Sequence, residues 1–496
     1  MPVSAPLKEA CGEIADLAHA ASVLAWDQQT YMPPRGAESR GRQMATLSSL
    51  IHERITSARL GDLMARAESD GDLSEDGRAF LRELDFIRTR LIKLPGSLVR
   101  EMALETSAAF EAWVRARKQK DFAAFAPHLS RLLELSRQKA ECLGYKDTPW
   151  DALVPDFEPG MTAATLRPIL EPLREATVAL LGRIRAVPEP DTQFLSGTWP
   201  ADRQREFGLR VARDIGFDFE GGRQDIAAHP FCTSFGRGDV RITTRYDESN
   251  PVEALLATIH ECGHALYDQG FRTEDDRTPL AGAPSHGIHE SQSRFWEIVI
   301  AHSTPFWRHF LPVMKEYFPG QLDGVEVGDF VRAINRVRPS LIRVGADEVT
   351  YNLHIAVRFD LEVRLLAGEL AVEDIPAEWN RQYKELLGVD VPDDAAGCLQ
   401  DVHWSHAAFG YFPSYTLGNI YGAMIAEKME EDLPGMWDDV EQGRFTAPLE
   451  WLREHVHREG KRLRPVPLVR KVTGRDPSAD ALLRHFERKY GELLGI

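Results

Sequence analysis

Positive charge is what this 496-residue chain most plainly lacks: 59 Lys and Arg stand against 76 Asp and Glu, for a formal net charge of −17. Affinity for phosphate backbones comes mainly from clustered Lys and Arg, so the deficit argues against a nucleic-acid partner. Cysteine is scarce as well. The five present (Cys11, Cys142, Cys232, Cys262 and Cys398) are odd in number, far apart and without a C-x-x-C pair. That excludes a disulfide framework and a thiolate metal site, and it fits a reducing cytoplasmic compartment. No stretch of about 18 apolar residues occurs, and the N-terminus lacks a basic segment followed by an apolar core, so neither a membrane span nor export is expected. Ser/Gly linkers, low-complexity tracts and solenoid repeats are missing too, which points to a single unit over residues 1–496. With 43% hydrophobic and 27% charged residues, that unit has the composition of a folded protein with a sizeable core.

Against these absences stands one stretch, Asn250 to Gly270, which reads as a helix. Asn250 can cap it, Pro251 suits the first turn, Glu253 can close a capping box, and Gly270 offers a left-handed stop. Inside it lies His260-Glu261-Cys262-Gly263-His264, an H-E-x-x-H string. Residues four apart share a helix face, so the two imidazoles project side by side about one turn (~6 Å) apart, a spacing that suits one metal ion. Glu261 lies beside that face, where it can reach a metal-activated water as general base without ligating the ion.

From the start to about residue 220 the pattern is helical, with apolar residues at three- and four-residue spacing broken at Pro33-Pro34, Pro95-Gly96, Pro127, Pro155 and Pro188-Glu189-Pro190. This predicts a helical lobe over about 1–220 and a metal-bearing lobe over about 221–496. Trp26 to Pro34 joins aromatic and polar residues at a helix end, either as packing or as groove lining. The one clear β signal is His229 to Phe235, a Gly236-Arg237-Gly238 turn, then Asp239 to Tyr246 with its alternating β-branched residues, a predicted hairpin. Its edge could hold an extended peptide through main-chain hydrogen bonds, or it could be a plain surface hairpin. Beyond Gly270 the pattern returns to helix, including one predicted to begin after Pro339 and run from Leu341 towards Leu366.

A hydrolytic metal of this kind needs a third ligand. The residues after His264 do not continue as H-E-x-x-H-x-x-G-x-x-H, so a carboxylate from a following helix is expected, and Glu290 is preferred over His286, His289 and Glu297. His406, Tyr411 and Tyr415 cluster in the sequence and offer donors for an oxyanion. Arg343 and Arg241 are the candidates for a two-pronged bond to a terminal carboxylate, with Asp347 and Asp239 as the salt-bridge partners each could have instead.

Several strings, in order, resemble the M32 family of metallocarboxypeptidases, the thermostable carboxypeptidase Taq type. They are His229-Pro230-Phe231, Asp239-Val240-Arg241-Ile242-Thr243, His260 to His264, His289-Glu290-Ser291, Ile342 to Asp347, and Gly397 to Trp404. The resemblance implies a mainly α, neurolysin-like two-lobed peptidase with a deep groove and a small β-sheet beside the metal helix. It implies His260, His264 and Glu290 as ligands of one Zn2+, with Co2+ able to substitute, and Glu261 as the catalytic residue. It further implies a homodimer acting on peptides with free C-termini, broad in specificity and averse to C-terminal proline. Its HPF string adds His229 to the substrate-binding candidates, beside Arg343, Tyr411 and Arg241. His406, Tyr411 and Tyr415 resemble the spacing of a His and two Tyr in neurolysin-like peptidases, while Gly418 stands where that wider group would have a further Tyr. The alternatives are an endopeptidase or dipeptidyl carboxypeptidase using the same metal, and a non-catalytic helical protein that keeps the ion for stability.

Overall fold

The computed structural model describes residues 3–69 and 73–496, and it is mainly helical with one three-stranded sheet. Helices Ala5–Thr30, Ala37–Thr56, Ala58–Ser69 and Glu75–Ile92 come first. Their apolar residues recur at helical spacing, as in Leu60, Met64 and Ala67, and bury one another in a small core with Leu7, Phe80 and Leu84, which closes on Leu280. A second, larger core runs from Ala109 to Tyr490.

The predicted hairpin is present: β2 (Cys232–Ser234) pairs antiparallel with β3 (Val240–Thr244), with Thr233 opposite Arg241. A further strand, β1 (Gly222–Ile226), pairs parallel to β3, giving the order β1-β3-β2. Its Gly-Arg-Gln-Asp-Ile has no apolar alternation, so nothing in the sequence marked it. Val240 and Ile242 are fully buried in the main core. The end of the first helix docks on this sheet: the Arg241 guanidinium lies 4.3 Å from the Trp26 ring, and Tyr31 donates to Asp225 on β1.

Helix Glu253–Gln269 follows directly. Asn250 and Pro251, expected as cap and first turn, lie ahead of the N-cap residue Val252; the Asn250 Oδ1 still accepts from the Val252 and Glu253 amides at 3.2 Å, and its Nδ2 donates to Glu253 at 3.3 Å. The expected left-handed stop at Gly270 is not there. Gly270 is right-handed (φ −88°), and a Cβ on it would lie 2.3 Å from His457 Nδ1, so close packing explains the glycine. A second correction concerns Leu341 to Thr350. These residues form a short 3-10 turn, Arg343–Gly345, and the helix begins only at Tyr351, where Asp347 accepts from the Val349 and Thr350 amides.

Three helices build the centre. Helix His286–Arg294, capped by Ser285, lies between Glu253–Gln269 on one side and Pro413–Asp432 on the other. Glycines set both spacings. A Cβ on Gly263 would lie 2.5 Å from Ser293 Cα, and one on Gly418 would lie 2.4 Å from Glu290 Cγ. Among the described residues no helix is long and apolar enough to cross a membrane.

Candidate active site

Close approach of these helices brings His260, His264 and Glu290 together, one ligand atom from each lying within 4.8 Å of the others. Glu290 Oε2 stands 3.6 Å from His260 Nε2 and 3.4 Å from His264 Nε2. Donors about 2.1 Å from a tetrahedral ion sit about 3.4 Å apart, so the two distances from Glu290 Oε2 match edges of such a site.

The supporting bonds aim these atoms. Glu290, Arg294 and Glu297 follow one another at four and three residues along one face, the last on a π-helical segment, Phe295–Ala301. Arg294 Nε donates to Glu290 Oε1 at 2.8 Å, so Oε2, which also accepts from Ser293 Oγ at 3.2 Å, faces the histidines, and Arg294 Nη1 reaches Glu297 at 3.2 Å. Glu297 in turn lies 2.7 Å from His260 Nδ1, which turns Nε2 towards the shared centre. His289 stacks on His264 at 4.4 Å and bonds Asp268 at 3.1 Å, so it braces the site from one side.

The electrostatics follow from this crowding. Burial disfavours charge on His260, but Glu290 and Glu297 outweigh it and raise that imidazole to about 9 in the protein alone. Burial and the neighbouring His289 lower His264 to about 4. Glu261, only 6% exposed, is pushed by burial up to about 7, where a carboxylate is basic enough to accept a proton near neutral pH.

The remaining sequence candidates fall into two groups. Tyr411 and Tyr415 face each other at 5.3 Å, and Arg343 lies 4.8 Å from the Tyr415 ring. Arg343 is tied to Asp401, not to Asp347: Nε and Nη2 donate to Asp401 Oδ1 at 3.0 and 2.8 Å, and Nη1 donates to Tyr351 at 2.8 Å. Asp401 is gripped on its other oxygen by Arg358, whose Nε donates at 2.6 Å. The structure does not gather the others. Arg241 forks onto Asp239 with two bonds of 2.8 Å. His229 is exposed on the loop between β1 and β2. His406 is exposed and stacks on Phe110 at 5.3 Å.

It is His403 that stands beside the tyrosines, with Nε2 3.3 Å from Tyr415 Oη and its ring 5.1 Å from Tyr411. His403 was not among the residues expected from the sequence. The string that contains it, Gln400-Asp401-Val402-His403-Trp404, was the available signal.

A buried H-E-x-x-H helix crossed by a second helix that delivers a carboxylate defines a metallopeptidase centre. The chain belongs to the Carboxypeptidase Taq (M32) metallopeptidase family, which matches residues 6–490. It is 43% identical to thermostable carboxypeptidase 1 of Thermus thermophilus, over 97% of both chains, and 39% identical to carboxypeptidase 1 of Bacillus subtilis, over 97% of this chain and 96% of that one. Its fold is similar to the crystal structure of the M32 carboxypeptidase from Deinococcus radiodurans R1, with a TM-score of 0.97 and 40% identity over 99% of each chain. It is therefore a metallocarboxypeptidase, a hydrolase of peptide bonds that uses a divalent metal.

Proposed function

We propose that the enzyme is a zinc-dependent carboxypeptidase of broad side-chain specificity, with His260, His264 and Glu290 as ligands and Glu261 as general base. The observation that carries this reading is the convergence of those two imidazoles and one carboxylate oxygen within 4.8 Å of one another, with Glu261 buried alongside. A zinc ion held there supplies Lewis acidity and makes water acidic near neutral pH. Glu261 takes the proton of the attacking water and delivers it to the leaving amide nitrogen. Tyr411 and Tyr415 donate to the oxygen that gains charge as the carbonyl is attacked, and His403 orients Tyr415.

Arg343 is the better candidate for the substrate's terminal carboxylate. Three of its five N–H bonds are engaged by Asp401 and Tyr351, which holds the guanidinium fixed and leaves two for a ligand. Arg241 remains the second candidate, with two of its N–H bonds on Asp239 and its guanidinium 4.3 Å from the Trp26 ring. His229 and His406 are exposed and stand apart from Tyr411 and Tyr415, so neither carries a part of this reading. Broad specificity follows if the β2 edge holds the peptide by its main chain, which carries no side-chain information. The same proposal includes a homodimer, read out by mass in solution, and cobalt as a working substitute, read out by reconstitution.

N-blocked dipeptides with free or amidated C-termini, with and without chelator, test the reading. Release from the free acid alone, lost on chelation, is expected. Equal cleavage of the amide contradicts the exopeptidase reading, and insensitivity to chelator contradicts the metal. Glu261→Gln should retain zinc while turnover falls by about 10²–10⁴-fold or more.

A further inference from the structure

Beneath the turn that carries His403 and Tyr411 lies a carboxylate that the mechanism above does not use. Glu362, on helix Tyr351–Ala367, is completely buried. Its Oε1 accepts from Trp404 Nε1 at 3.0 Å, and its Oε2 accepts from the Gly410 amide at 2.8 Å and from Trp150 Nε1 at 3.1 Å. Trp404 lies in the 3-10 helix His403–His406, and Gly410 closes the turn that follows it. Between them Ala407 is left-handed (φ 53°), a conformation unfavourable for a residue with a Cβ, which persists only when its surroundings enforce it. Gly410 (φ 94°) is pressed against the Val154 backbone, where an added Cβ would lie 2.8 Å from Val154 Cα.

We propose that Glu362 is a positioning residue for peptide hydrolysis: by clamping Trp404 and Gly410 it holds the strained turn so that His403 and Tyr411 stand against Tyr415. The inference rests on the reading of Tyr411 and Tyr415 as donors to the developing oxyanion. Such a role is set by geometry, because misplacing a donor by about 1 Å can cost about 10²-fold in rate while leaving binding of the rest of the substrate alone. Three N–H groups converge on Glu362, and an amide in its place must turn an NH2 towards at least one of them. Glu362→Gln therefore breaks the clamp without changing the volume. Trp404→Phe removes one donor and keeps most of the ring.

The test measures kcat, KM and zinc affinity for Glu362→Gln, Trp404→Phe and Tyr415→Phe in the full-length zinc enzyme, with N-blocked dipeptide as substrate. The inference predicts a kcat lower by about 10- to 100-fold in Glu362→Gln and by a smaller factor in Trp404→Phe, with KM and zinc affinity within about twofold of the parent. If Glu362→Gln does not fold, Trp404→Phe carries the comparison. Parental kcat in the folded clamp variants, with any loss confined to melting temperature, overturns the role of Glu362. Parental kcat in Tyr415→Phe overturns the donor reading itself, so the two failures are told apart.

Discussion

Glu297 shows how much of this site depends on a residue that touches no reacting atom. It faces His260 Nδ1 at 2.7 Å and is itself held by Arg294, which also grips the outer oxygen of Glu290. One arginine thus aims both the carboxylate proposed as ligand and the carboxylate that orients His260. Removing such a partner costs about 10- to 100-fold in metal affinity. Glu297→Gln should therefore raise the zinc dissociation constant by that factor in a competition titration with a chelator, and an unchanged constant would show that the contact does not tune the metal. Residue identity was legible here only in part. The H-E-x-x-H string and a downstream carboxylate could be read from spacing, but His403 could not be told from His406. Left-handed Ala407 reverses the chain just after His406, which leaves that ring on Phe110 while His403 meets Tyr415. Likewise the partner of Arg343 is Asp401, 58 residues away, where the sequence offered nearby Asp347.

At the scale of elements, the site is a consequence of how closely three helices approach. Gly263, within the metal motif itself, lets helix His286–Arg294 pass with Ser293 Cα where a Cβ would be 2.5 Å away. Gly418 does the same from the other side against Glu290 Cγ, and this explains why a tyrosine has no room there. Gly263→Ala should push the helices apart and cost about 1–3 kcal/mol, as overpacking of a tight core does. Melting temperature and bound zinc per chain should fall together. A variant with parental melting and full zinc would mean that the crossing is looser than described. Helix Glu253–Gln269 was legible because its cap and apolar face are local features. The polar strand β1 was not, because it is defined only by pairing with β3. The Leu341–Thr350 turn carries helix-like apolar spacing, yet Gln400 accepts from the Arg343 amide at 2.9 Å and Asp347 accepts from the Val349 and Thr350 amides ahead of the helix, so these bonds decide its shape.

For the molecule as a whole, the first four helices are attached differently from the rest. Their small core closes on Leu280, and beside the Trp26 and Tyr31 contacts with the sheet they are tied to the remainder by ion pairs, among them Arg462 with Asp76 at 2.9 Å and Arg277 with Asp16 at 2.6 Å. Hydrogen bonds from those arginines hold Asp76 and Asp16 below the usual carboxylate value of 3.8. Because the folded values lie below the unfolded one, the attachment is at full strength above about 3.8 and weakens as pH falls below it. Hydrogen exchange at acid pH should therefore expose the N-terminal helices before the Glu253–Gln269 helix, and simultaneous loss would contradict the ranking. The helical class and the sheet beside the metal helix were legible from periodicity and one hairpin, but this division of the core was not, since both parts have the same helical pattern. The account as a whole turns on one metal position, and anomalous diffraction at the zinc edge tests it most directly. It predicts one peak per chain at bonding distance from His260 Nε2, His264 Nε2 and Glu290 Oε2. A peak elsewhere, or Glu290 turned away from the two imidazoles, would contradict it.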